Sequence, residues 1–332
     1  MKHYIYEVGK QTIAEWFSHN SNPEWLTLVG RVDFKKLNEL SQALVEHAVV
    51  RVDIGDLEVY VEDSVREEFS WLLDDSSDWG EMFDDLLYGK TDTGELNLSI
   101  LERMLYNRQF ASSFIIRGDY VTSLDTKVLV QMPPSKDVAI PEGTEIIGNG
   151  IFWESKETIQ SLSIPDTVRH IGTHAFDSGG RLFFLEIPDS VVSLGESAFE
   201  NCDIQELRLS NNLCEIPDFA FDYNFITDID VPGSVKRIGG EAFSGSCYRG
   251  NVRIFEGVEE IECEAFAGPP SRVELPSTLK KISSDFYYKS YVDDPNKVPY
   301  VEVSPLNPIF FSKDGTLYFR KDGSLALDAS YK

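Results

Sequence analysis

The sequence predicts an α+β N-terminal domain, a β-rich repeat solenoid and a C-terminal β-meander that caps it. Three observations lead there. A phrase of about twenty-two residues recurs through the second half of the chain, residues 1–125 lack it, and the tail carries two Lys-Asp-Gly turns, at Lys313 and Lys321. A constant period of this length means a solenoid, in which each coil buries its apolar side only against its neighbours. The expected division is 1–125, a linker at 126–136, about seven coils over 137–303, and a cap over 304–332.

In the N-terminal domain, Val32 to His47 has helical spacing through Phe34, Leu37, Leu40, Leu44 and Val45, with Asp33 as its N-cap. Val49 to Val61 alternates on either side of Gly55-Asp56 and reads as a hairpin. Ser64 to Asp75 is again helical and opens on the capping-box pattern Ser64 to Glu67. Leu98 to Phe114 reads as a last helix. Between Asp53 and Asp85 stand thirteen acids and one base, Arg66. That run is either a solvated face or a docking face for a basic partner.

Gly118 to Lys136, ending in Pro133-Pro134, leads into the repeats. Their clearest copy is Leu185-Glu186-Ile187-Pro188, Val191, Leu194-Gly195, Ala198-Phe199. Leu185 and Ile187 point inward from a strand, Phe184 and Glu186 outward, and Pro188 ends the strand because it cannot donate to the ladder. Phenylalanine fills the interior at 152, 176, 199, 221, 243, 266 and 286, and alanine precedes it in five consecutive coils, where the chain needs a small residue. Gly172, Gly195 and Gly239 share a site that holds Pro217 in another coil. Proline fixes φ near −65°, so glycine is expected there for close approach of coils and not for positive φ.

The outward strand positions form two ladders. One runs Ser161, Phe184, Glu206, Asp228, Asn251, Arg272, Tyr300. The other runs Ser163, Glu186, Arg208, Asp230, Arg253, Glu274, Glu302, and its sign alternates at every rung from 186 to 274. With strands about 4.8 Å apart, each charge should face an opposite one. The ladder either sets the register of the sheet or presents a polar surface to a charged partner. An insertion beyond Phe286 holds Tyr287, Tyr288 and Tyr291, as an interface or as a flap over the last coil.

The net charge of −26 over 332 residues argues against nucleic acid and anionic lipid and suits either simple solubility or a basic partner. No apolar run is long enough to insert in a membrane. Lys2, Glu7, Lys10 and Glu15 break the first twenty residues, so the start does not read as an export signal. The expected location is cytoplasmic if Met1 is the native start, and the cell surface if a leader has been trimmed. No Cys-x-x-Cys pair exists. Cys202 reads as a small buried hydrophobe. His170 and His174 are four apart, but their counterparts, Ser193, Glu215 and Arg237 for the first and Ser197, Phe219 and Glu241 for the second, are variable and mostly polar, which suggests an outer position, and no metal is expected. Asp74 to Asp78 lacks the spacing of a calcium loop. No catalytic or cofactor motif appears, so neither enzyme activity nor a cofactor is expected.

The phrase Ile-Pro-x-(Ser/Thr)-Val-x-x-Ile-Gly-x-x-Ala-Phe, at 164–176, 187–199 and, with Val231, 231–243, resembles BspA-like leucine-rich repeats. Asn307 to Tyr318 is similar to a segment that often follows such repeats. The resemblance covers residues about 137–328 and leaves the N-terminal domain outside it. It implies a curved solenoid and a non-catalytic binding role, and family members are often bacterial surface proteins. The expected function is therefore a module that binds a protein or peptide, basic by charge. Its contacts would be Phe184, Glu186, Glu206, Arg208, Asp228, Asp230, Arg253, Arg272, Glu274 and Tyr300, with Tyr287, Tyr288 and Tyr291. An exported adhesin and an enzyme in residues 1–125 are the alternatives. The sequence does not give the oligomeric state.

Overall fold

The computed structural model describes residues 3–20, 23–33, 36–60, 99–117, 119–152, 158–246, 250–266, 270–286 and 299–326. The expected helix from Ser64 to Asp75, most of the acidic run, Asp74 to Asp78, Cys247 and the tyrosines 287, 288 and 291 lie outside these residues. The chain divides into two compact units, 1–133 and 134–332. Among the described residues no helix is long and apolar enough to cross a membrane.

In the first unit β1 (His3–Val8), β2 (Trp25–Asp33) and β3 (Arg51–Asp53) run parallel, and β4 (Leu57–Tyr60) also pairs with β2. Helices α1 (Ile13–His19) and α2 (Leu37–Glu46) make the crossovers that parallel strands require. Then β5 (Ser113–Arg117), β6 (Tyr120–Ser123) and β7 (Val128–Gln131) extend the sheet antiparallel from β3. Helix α3 (Ile100–Tyr106) opens on a capping box between Ser99 and Glu102.

Four expectations for this region need correction. The α2 helix starts at Leu37, not Val32. Val32 and Asp33 end strand β2, and Lys36 caps the helix without a side-chain bond. Leu37, Leu40 and Leu44 are buried as their spacing requires. Residues 49–61 are not a hairpin: β3 and β4 point the same way along β2, interrupted at Ile54–Asp56, where Gly30 donates to the Asp56 carbonyl. Alternation looks the same in one interrupted strand as in two antiparallel ones. Phe114 belongs to strand β5, not to the last helix. The linker expected at 126–136 contains β7, whose Val128, Leu129 and Val130 are buried.

In the second unit most coils contribute one strand to each of two faces, while the coil of Glu206–Arg208 gives the second face only an isolated bridge from Ile216 to Ile238. On one face lie β8 (Asp137–Ala139) with β10 (Ser161–Ser163), then β12 (Phe184–Glu186) with β14 (Glu206–Arg208). A four-stranded parallel sheet follows, made of β15 (Ile229–Val231), β17 (Asn251–Ile254), β19 (Arg272–Leu275) and β21 (Tyr300–Val303). On the other face β9 (Ile146–Ile147), β11 (His170–Ile171) and β13 (Ser193–Leu194) run in parallel register. Beyond them lie β16 (Arg237–Ile238), β18 (Glu260–Ile261) and β20 (Lys281–Ile282).

The interior is as the repeat requires. Phenylalanines 176, 199, 221, 243, 266 and 286 are fully buried, and the five alanines with them. From Phe152 to Phe266 successive rings stack at centroid distances of 5.4, 5.0, 5.7, 5.4 and 5.4 Å. Gly172 does serve close approach. A Cβ there would lie 2.6 Å from the Asn149 nitrogen of the preceding coil. The positive φ falls two residues later, on His174, Ser197, Phe219, Glu241 and Glu264, each near 50°. A second such column runs Ser178, Asn201, Tyr223, Gly245. Non-glycine residues pay for that conformation, so a scan for glycine could not find these turns.

Cys202 is buried, as expected. One repeat on, Asn224 takes its place. Its side-chain oxygen accepts from the amides of Cys202 and Ile204, and its nitrogen donates to the carbonyls of Phe199, Phe221 and Asp222. It thus satisfies backbone groups of two coils. At the C-terminal end β22 (Phe310–Lys313) and β23 (Thr316–Phe319) form a hairpin, and an isolated antiparallel bridge from Tyr318 to Leu325 adds the next segment of the expected meander. The hairpin's turn residues Asp314 and Gly315 have φ of 53° and 77°, which matches the right-handed twist of the strands. Val301 of β21 donates to the Gly315 carbonyl, so the hairpin occupies the edge of the last coil.

Candidate binding face of the solenoid

The alternating ladder forms ion pairs at most of its rungs. Arg208 meets Glu186 at 2.9 Å, Arg253 meets Asp230 at 3.2 Å and Glu274 at 3.6 Å, and Arg272 meets Glu274 at 2.9 Å and also Glu302. In the other ladder the Asp228 Oδ1 accepts from the amide and side chain of Asn251, and Arg272 lies over the Tyr300 ring. Phe184 is exposed between them and solvent. All ten described candidates therefore stand on the outward side of one strand face. All these pairs are exposed, and each contributes about 0.2–1 kcal/mol.

The expected continuity fails in one informative place. Leu185 and Leu207 are neighbouring rungs of β12 and β14, but β14 and β15 share no backbone hydrogen bond, so Leu207 and Ile229 are not paired. The coils remain stacked beneath. Phe225 donates to Ile204 on one side of the opening, Lys236 donates to Cys214 on the other, and the Phe221 and Phe243 rings stay in contact. Glu206 and Asp228 occupy successive rungs with the same sign, and like charges opposite one another disfavour strand pairing. Glu274 and Glu302 also face each other, but there Arg272 bonds both and β19 pairs with β21. Among the described residues Arg208 and Asp230, though opposite in sign, form no ion pair across the opening. Each turns to a partner on its far side. A sheet break between β10 and β12 is the other interruption on this face.

Two grooves flank the opening. One, of about 610 Å³, has Leu207, Ile229 and Val252 at its floor and Asp228, Asp230, Asn251, Arg253, Arg272 and Glu274 along its sides. The other, of about 500 Å³, runs past Arg208, Leu209, Asn211, Pro232 and Phe255 and shares Leu207 and Asp230 with the first. The Asp228 Oδ2 takes no hydrogen bond among the described residues. Sequence reasoning found the charged columns but missed the opening. The adjacent acids at 206 and 228 were the available signal.

The expectation that His174 is an outer residue is overturned. His170 is exposed and bonds Ser193, whereas His174 is only 4% exposed, with its ring nitrogen Nδ1 at 3.0 Å from Asp177. The two histidines face different surroundings, because one lies on a strand and the other at a left-handed turn. Glu200 of the next coil lies beside this pair. Burial foremost, then the charge of Asp177, pushes its carboxyl up to about 7, against a Ser197 hydrogen bond that favours ionisation. Asp222, one coil further, is raised to about 6, mainly by burial. Cys214 and Cys263 are exposed.

A family model described as "BspA type Leucine rich repeat region" matches this chain in six copies, over residues 95–182 and 178–293. No curated protein matches it. Among solved structures, a leucine rich cell surface protein from Faecalibacterium prausnitzii A2-165 aligns with a TM-score of 0.53 at 21% identity. That alignment covers 62% of this chain and 58% of the other. The pneumococcal vaccine antigen PcpA aligns with a TM-score of 0.44 at 20% identity, over 62% of this chain and 54% of that one. The first alignment shows a shared fold, and this chain spans little more than half the length of either protein.

Proposed function

This chain belongs to the BspA-type leucine-rich repeat family, and from that premise we propose that it is a non-enzymatic module that binds a basic segment of a protein at the opening between β14 and β15. The observation that carries the reading is the coincidence of the groove with the charged columns. Asp228 and Asp230 line the groove beside the β14–β15 opening, Glu206 stands on the neighbouring rung, and Asp228 keeps an oxygen for a donor from outside. A lysine or arginine of the partner would relieve the repulsion that holds the strands apart. Apolar floor residues and the exposed Phe255 would take the stem of its side chain. The chain's surplus of acids would speed the encounter. Tyr287, Tyr288 and Tyr291 belong to the same proposal as a second contact.

The test separates recognition from register. Exchanging the charges of one rung (Asp230→Arg with Arg253→Asp) keeps an ion pair within the sheet but inverts the surface. In affinity capture from the native organism the exchange should release a partner that the wild-type chain retains, with circular dichroism unchanged. Retention of every partner would reject this face. A second reading, an adhesin displayed at the cell surface, is favoured by the family and by the aligned surface protein. Protease treatment of intact cells tests it: a chain left uncut until lysis is not displayed.

A further inference from the structure

We propose that His174, Asp177 and Glu200 form a zinc site that ties two successive coils together. A histidine nitrogen and one oxygen from each carboxylate all lie within 4.8 Å of one another. Tetrahedral zinc with ligand bonds near 2.1 Å needs its ligand atoms about 3.4 Å apart, so drawing the three atoms in from their present separation would complete the set. His174 and Asp177 are already 3.0 Å apart.

The site is built, not incidental to an acidic surface. His174 and Asp177 are 4% and 6% exposed, while Glu200 is half-buried and gives solvent a way in. His174 stands at a left-handed turn, and its ring is held by the Nδ1 contact with Asp177. Ser178 donates to the second oxygen of Asp177, and Asn201 of the next coil donates to Ser178. Ligands so held by outer hydrogen bonds are oriented before metal arrives. Two carboxylates beside each other, with Asp222 stacked beyond, leave an excess of negative charge in a poorly hydrated place, which a divalent cation balances. One imidazole and two carboxylates suit zinc better than calcium or magnesium, which prefer oxygen alone. The repeat adds a further point. Equivalent coils place Ser197, Phe219 and Glu241 where His174 stands, so the donor set does not recur at those turns.

The experiment titrates Zn²⁺ into the full chain by calorimetry, after removal of metal with a chelator. One tight equivalent is expected. His174→Gln and Glu200→Gln should each weaken it by about tenfold or more, whereas His170→Ala, which removes the exposed histidine, should leave it unchanged. No uptake by the wild-type chain, or wild-type affinity in both glutamine variants, overturns the proposal. Should either variant fail to fold, imidazole nitrogen spectra of the wild-type chain decide. Zinc must shift the His174 ring resonances at one equivalent, and a shift confined to other histidines refutes the site.

Discussion

Phe176 and Phe199 stack with centroids 5.0 Å apart and planes within 4° of parallel, although 23 residues separate them in sequence. The same contact repeats from coil to coil, so each ring is buried by the ring before it and the ring after it. Removing one interior ring opens a cavity between two others. Phe199→Ala should cost about 3–5 kcal/mol. Urea unfolding followed by circular dichroism measures it, and a loss under 1 kcal/mol would mean the column closes around the gap.

Adjacent glycines make a sharper test. A Cβ on Gly239 would meet the Asp218 nitrogen at 2.6 Å and the Pro217 carbonyl carbon at 2.7 Å, while one on Gly240 would rest 3.5 Å from Cys263. Neither has positive φ. Gly239→Ala should therefore destabilise by about 1–3 kcal/mol through overpacking. Gly240→Ala should be neutral or stabilise by up to about 1 kcal/mol by restricting the unfolded chain. Paired thermal melts compare them.

Asn224 holds five backbone groups with one buried amide. Leucine is close in volume but offers none of these bonds. Asn224→Leu should cost at least about 2 kcal/mol, because the amides of Cys202 and Ile204 are left dry and unpaired. Hydrogen exchange at those two amides should rise before the rest of the solenoid opens.

If like charge at 206 and 228 keeps β14 and β15 apart, Glu206→Arg should let the strands pair. The expected gain is about 0.2–1 kcal/mol, together with slower amide exchange across residues 206–208 and 229–231. Binding of the basic partner should weaken in the same variant. Unchanged exchange would show that something other than repulsion holds the opening.

The pH dependence of stability has a definite sign. The Glu200 carboxyl rises from 4.5 to about 7, and Asp222 from 3.8 to about 6. A folded state that holds these protons more tightly than the unfolded chain is favoured most below the ordinary values. That stabilisation is lost as pH climbs through 6 and 7. The groups around Glu200 are Asp177 and Asp222, which raise it, and His174, which lowers it. With chelator present, the melting temperature should fall between about pH 5 and pH 8 by the equivalent of about 1 kcal/mol, allowing for solvent at the half-buried Glu200. Glu200→Gln should flatten that fall.

The second unit was legible because a solenoid writes its contacts at a fixed interval. Leu185, Ala198 and Phe199 have the same neighbours in every coil, so the sequence shows the same residues at the same spacing. The first unit has no such redundancy. Val32 alternates and also falls in helical spacing, and only pairing with β4 makes it strand. The capping boxes show how local the remaining signals are. Thr12 and Glu15 cap α1 by the same pattern that Ser64 to Glu67 carries, but the seven residues of this helix are too few to show a period.

Sequence alone determined the stacked coils, the buried phenylalanines, the close-approach glycines and which charges face outward, because each follows from period and side-chain size. Tertiary structure decided where the outer sheet parts, that His174 lies inside while His170 lies outside, and that Glu200 meets His174 and Asp177. Those depend on small differences between successive coils. Differences of that size are set by how one coil sits on the next, and no single coil carries them in its own residues.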